Sequence, residues 1–149
     1  MKIFYLANVR LPTEKAHGLQ IMKTCEALAN AGAEVVLCIP SGRNKTDADP
    51  FVYYDVKKVF TIRKVFALNL LGMRPAKLGF VLSQLSFGAG VSRVYMHEDD
   101  VVYSRDEYSL YPLSFYKKNI YFEAHDGRSN VFMRRIAGHA TRPPPGAIR

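Results

Sequence analysis

The side chains best able to do chemistry in this chain stand at three places where an apolar run gives way to polar residues. The first is Asn8 to Gly18, which carries Arg10, Lys15 and His17. The second is Ser104-Arg105-Asp106-Glu107, and the third is Glu123-Ala124-His125-Asp126-Gly127. Lys15, Arg10 and Arg105 can meet an anionic or hydroxyl-rich ligand, and Gly18 at a helix start lets backbone N–H groups come close to a ligand oxygen. His17 and His125 carry imidazoles, each with one nitrogen able to donate and one able to accept a hydrogen bond. His125, His17, Gly18, Arg105 and Lys15 are the candidate site residues.

Each of these has a plainer alternative. Gly18 could be only a helix-start glycine, and His17 a partly exposed loop residue. Lys15 and Arg10 could keep the loop solvated, while Arg105 could be consumed in an ion pair with Glu123 or Asp126. Asp126-Gly127 is an ordinary turn pair. His97 and His139 stand in no motif, and the nine tyrosines read as packing rather than as a stacking platform for bases. No metal centre is expected, since four histidines and two cysteines show no Cys-x-x-Cys or His-Glu-x-x-His spacing. Cys25 and Cys38 fall at inward-facing positions and are expected to be buried, reduced thiols.

The elements that would position these groups follow from hydrophobic periodicity. Lys2 to Ala7 and Glu34 to Ile39 are apolar runs of the length and type of buried parallel strands. Between them, Leu19, Ile21, Met22, Cys25, Leu28 and Ala29 mark one face of a helix over Gly18 to Ala31, with Gly32 as its terminal cap. The loop joining the first strand to this helix is too long and too charged to be a minimal connector. In open α/β sheets, loops leaving the carboxyl ends of strands are where ligands bind.

Further along, Ser41 to Pro50 reads as a polar loop, Phe51 to Tyr54 as a short β-prone piece and Phe60 to Ala67 as a strand. Pro75 suits a first helical position, ahead of a helix over 76–95 that Gly79, Gly88 and Gly90 weaken. Asp100 to Tyr103 is a strand. Ser104 with Glu107 forms a capping box for a helix from Tyr108 to about Lys118. Asn119 to Glu123 is a last strand, delivering His125 to its carboxyl end. After Arg128 the pattern decays, and Pro143-Pro144-Pro145 rules out helix or central strand there.

The expected fold is therefore α/β: a Rossmann-like, doubly wound domain with a mostly parallel sheet over 1–130. Residues 131–149 are expected to be a poorly structured or truncated tail. At 149 residues the chain is one domain by length, able to bury roughly two-thirds of its unfolded surface. The longest near-continuous apolar stretch, Val65 to Met73, has nine residues, against about twenty for a membrane-spanning helix. The expected compartment is the cytoplasm.

A net charge of +8 favours an anionic partner. The basic residues cluster at Lys57, Lys58, Arg63, Lys64, Arg74 and Lys77, interleaved with apolar residues, and again from Arg128 to Arg149. The first cluster allows either a solvated face or a peripheral contact at the inner face of a membrane. Neither cluster matches a nucleic-acid-binding motif, so no nucleic acid is expected as a partner.

Taken in order, the Asn8 to Gly18 loop, the strand ending in Val102-Tyr103-Ser104-Arg105 and the strand ending in Glu123-Ala124-His125-Asp126 resemble the N-terminal half of a group 1 (family 4) glycosyltransferase of the GT-B type. The likeness covers residues 1 to about 130, and the first loop is its more specific part. It implies the acceptor-side one of two Rossmann-like domains, and transfer of a sugar with retention from a nucleoside-diphosphate donor to a saccharide or lipid-linked acceptor. It implies no catalytic metal and no cofactor beyond the nucleotide-sugar donor substrate. A histidine in the position of His125 contacts the donor sugar near the reaction centre in that family. The resemblance thus implies a catalytic role for His125 and substrate-binding roles for His17, Gly18, Arg105 and Lys15. The family's donor half, with its Glu, seven residues, Glu motif, is missing from the resemblance. Glu26 and Glu34 match that spacing but lie in the first helix and second strand, the wrong context. Catalysis by this chain alone is therefore not expected, and two readings stand: an acceptor-side domain completed by a donor domain, or a non-catalytic truncated or split domain that binds a sugar acceptor or a donor-domain partner.

Overall fold

A computed structural model describes residues 1–42, 48–70, 72 and 74–123. The elements run β1 (Lys2–Leu6), α1 (Ala16–Asn30), β2 (Glu34–Pro40), α2 (Pro50–Tyr53), β3 (Thr61–Val65), α3 (Ala76–Val91), β4 (Val101–Ser104), α4 (Glu107–Leu110), a 3-10 turn (Leu113–Phe115) and β5 (Ile120–Phe122). The five strands form one sheet in the order β3-β2-β1-β4-β5, and every pairing is parallel. The fold is an α/β, Rossmann-like one, as the alternation of apolar runs and helical faces predicts.

Parallel strands are covered on both faces, which is why β1 and β2 are buried almost without a break. On one face Ile3, Tyr5, Val35, Leu37 and Ile39 pack with Ile21, Met22 and Cys25 of α1. On the other, Phe4, Leu6, Val36 and Cys38 pack with Phe87 and Val91 of α3 and with Leu110 and Leu113. The sheet is thus wound in both directions from its middle. Cys25 and Cys38 lie in different cores and are free thiols. Burial pushes each thiol up to about 12.

Helix α1 stops where Gly32 takes a φ of +94°. The Gly32 N–H donates to the Ala29 carbonyl at 3.0 Å and the Ala33 N–H to the Leu28 carbonyl at 3.2 Å, the paired bonds of a Schellman ending. Strand β3 sits at the sheet edge with Arg63 and Lys64 exposed, which explains its blurred alternation, since basic residues discourage edge pairing.

Four expectations are corrected. Residues 50–53 are helical rather than β-prone, because the Asp49 side chain accepts the Phe51 N–H at 2.8 Å and Pro50 starts the turn. The helix after β4 is capped by Asp106, which accepts from the Tyr108 and Ser109 N–H groups, both at 3.2 Å. Ser104 instead donates to the Leu6 carbonyl at 2.9 Å and accepts the Asp106 N–H at 3.0 Å. That helix ends at Leu110, with a 3-10 turn after Pro112 in place of a continuous run to Lys118. Helix α3 stops at Val91 rather than Tyr95. Its glycine-rich half holds because a side chain on Gly90 would overlap the Phe66 carbonyl, and one on Gly88 the Ser109 carbonyl. Among the described residues no helix is long and apolar enough to cross a membrane.

Candidate functional site

Strands β1 and β4 are neighbours, but the chain leaves β1 toward α1 on one face and β4 toward α4 on the other. In open α/β sheets such a switch point, outside the carboxyl ends of the strands, is where a ligand crevice forms. Two groups of residues flank that place here.

The first wall is the loop between β1 and α1. Leu11, 1% exposed, plugs this loop into the α1-side core. The Tyr54 hydroxyl accepts the Thr13 N–H at 2.6 Å and donates to the Thr13 carbonyl at 2.7 Å. Gly18 is buried beside this clamp; a Cβ there would overlap the Tyr54 hydroxyl and come within 2.7 Å of Thr13 Cγ2. The Gly18 N–H donates to the Lys15 carbonyl at 3.0 Å. Its amide is therefore engaged inside the first turn, and its small size makes room for Tyr54. Asn8 donates from Nδ2 to Gln84 Oε1 of α3, tying the loop to the opposite face.

With the apolar part of the loop held this way, its charged part faces outward. Arg10, Glu14 and Lys15 are exposed and His17 is half-buried. Lys15 occupies the position before α1 in an extended conformation, without a side-chain capping bond, and the first turn holds no acidic residue. The first turn of the fifteen-residue helix thus carries neither a side-chain cap nor an acidic residue, and Glu14 just before it is the carboxylate nearest in sequence.

The second wall is a polar corner at the ends of β4 and β5. Arg105 donates from Nη2 to Glu123 Oε1 at 2.6 Å and from Nε to Glu123 Oε2 at 2.9 Å, a two-pronged ion pair. Tyr103 donates its hydroxyl to the same Oε2. The Tyr5 ring lies 5.0 Å from that of Tyr103. Among the described residues the Tyr5 hydroxyl is the one buried side-chain polar atom without a hydrogen-bond partner. Burial holds the Tyr5 phenol above the usual tyrosine range, against the opposing charge of Arg105. Burial and then the Glu123 carboxylate push Tyr103 up to about 12. The bond to Glu123 raises Arg105 further, so this guanidinium stays charged and is engaged by Glu123.

No protein-family model, curated protein or solved structure matches this chain. Its chemistry has to be read from the crevice itself. Of the candidate residues, Lys15, His17 and Gly18 fall together on the first wall, and Arg105 stands on the second, paired with Glu123. His125 lies outside the described residues, as does the tail over 131–149. No group of three or more metal-ligating side chains occurs among the described residues. The residues that sequence reasoning missed are Tyr54, Gln84 and Tyr5, which hold or line the walls. Tyr54 sits 41 positions from Thr13, and no local pattern announces such a bond. Exposed apolar side chains also occur on and before α3, at Phe66, Leu68, Leu78, Phe80 and Leu82, and the exposed cations Arg63, Lys64, Arg74 and Lys77 fall in the same stretch of sequence.

Proposed function

We propose that this chain is the acceptor-side domain of a retaining group 1 (family 4) glycosyltransferase of the GT-B type. On this reading it takes part in moving a sugar from a nucleoside-diphosphate donor to a saccharide or lipid-linked acceptor. The observation that carries it is the long basic loop clamped at the switch point, opening on an uncapped helix start. Such a helix end suits phosphate or sugar oxygens, with Lys15 and His17 beside it. Arg105 acts through Glu123 as a stiff wall rather than as a free cation. His125 is assigned to the donor sugar near the reaction centre. The diphosphate is met by helix ends and Lys or Arg in a second domain, on the same polypeptide or another, in place of a metal ion.

The exposed apolar side chains on and before α3 support a second reading, in which the chain binds an acceptor or a donor-domain partner without catalysing transfer. The exposed cations of the same stretch also suit peripheral contact with an anionic membrane surface.

The test is a binding screen of saccharides and lipid-linked saccharides against the chain and its Lys15→Gln/His17→Gln variant. Binding that the variant weakens about 5–30-fold is expected. Binding to none, or binding indifferent to both substitutions, sinks the proposal. Acceptor binding with no turnover when a donor domain and nucleotide sugars are supplied selects the second reading. Undiminished transfer by His125→Ala in an active assembly would remove the central residue.

A further inference from the structure

A cavity of about 440 Å³ opens at the amino ends of β4 and β5, the end of the sheet opposite the crevice. It lies between the segment before β4, with Arg93, Tyr95 and Glu98, and the segment before β5, with Tyr116, Lys117 and Lys118. Lys117 is only 6% exposed. Its ammonium donates to the His97 carbonyl, and no ion pair of Lys117 occurs among the described residues. An ammonium carries three donors, and the partner of this one is a single carbonyl, in a turn that also holds the buried carboxylate of Asp100, so it keeps donors for further acceptors. Arg93 and Lys118 add two exposed cations at the rim, against the single carboxylate of Glu98. Tyr95 and Tyr116 stand 77% and 54% exposed at the same place.

We propose that this cavity is a second ligand site, taking a phosphate monoester on a hydroxyl-bearing ring system, the chemistry of a mononucleotide. Two exposed cations beside the Lys117 ammonium suit a group that carries close to two negative charges near neutral pH. The two tyrosine rings offer faces on which a planar base stacks. Glu98 would repel a bare anion but accepts from ring hydroxyls, which selects a ligand carrying both. The volume falls in the usual range for small-molecule sites. None of these residues belongs to the β1–α1 loop or the Arg105 corner, so the site stands or falls independently of glycosyl transfer.

The test is a nuclear magnetic resonance titration of the full chain with adenosine monophosphate, and separately with adenosine. Adenosine monophosphate should shift the amides of Val94, Tyr95 and Lys117 and leave those of Thr13 to Gly18 in place. Lys117→Met keeps the aliphatic stem and removes the charge; Arg93→Gln/Lys118→Gln alters only exposed side chains and keeps the question answerable should the first variant not fold. Each should weaken binding about tenfold or more, and adenosine should bind about tenfold more weakly than its phosphate. The proposal is overturned by no cavity shift at ~1 mM ligand, by equal binding of adenosine and its phosphate, or by folded variants that bind as the parent does.

Discussion

At the end of β1, polar groups are held by neutral contacts: Leu11 fills the core and one tyrosine hydroxyl secures the Thr13 backbone. At the end of β4, they are held by charge, with Arg105 locked onto Glu123 and Tyr103 joined to the same carboxylate. The first arrangement leaves its cations outward, and the second consumes its cation internally. Positive charge that a ligand in the crevice could use therefore comes from Lys15, Arg10 and the α1 terminus. The more conspicuous arginine serves stiffness.

The largest effect should come from breaking the neutral clamp. Gly18→Ala places a methyl group on the Tyr54 hydroxyl and should cost about 1–3 kcal/mol in chemical denaturation. Combined with Tyr54→Phe, which removes the hydroxyl, the losses should be clearly less than additive. Strict additivity would show that the methyl group meets something other than Tyr54. The charged corner should be more forgiving, because its two side chains keep 20% and 33% exposure. Glu123→Gln should cost about 1 kcal/mol by the same measurement. A loss matching that of Gly18→Ala would erase the contrast between the corners.

The smallest effect separates the corners by pH. Tyr103 ionises near 12 rather than 10.0, through burial and then the nearby Glu123 carboxylate. The unfolded chain releases that proton first, so above pH 10.0 the native state binds more protons than the unfolded one. Stability should then fall as pH rises from about 10 to about 12. Tyr103→Phe should remove that part of the slope, whereas Tyr54→Phe, whose partner is the neutral Thr13 backbone, should remove less of it. Denaturation curves on either side of pH 10.0 check this; an unchanged slope in Tyr103→Phe would assign the pH dependence to another group.

Much of the fold was legible because its signals are local. Strands β1 and β2 are uninterrupted apolar runs, α1 shows one apolar face, and Gly32 sits where a left-handed residue was needed. Two misreadings came from competing local signals. The aromatic and β-branched run after Pro50 resembles a strand, yet the Asp49-Pro50 start outweighs it over a single turn. Ser104 has the spacing of a cap, but β1 claims its hydroxyl and Asp106 takes over the helix. At the crevice, the charged loop was visible from composition, and the Arg105–Glu123 pair was foreseeable because both residues end parallel strands. The Tyr54 clamp was not, since it is a contact between segments that share no periodicity.

Ser104 couples the parts of the crevice mechanically. Its hydroxyl, fully buried, reaches the last carbonyl of β1 and also receives the amide that begins the turn into α4. The floor under the β1–α1 loop and the start of the opposing wall are thereby pinned to one atom. On the proposed reading, a ligand between them meets groups whose ordering was completed when the chain folded and need not be repeated at each encounter.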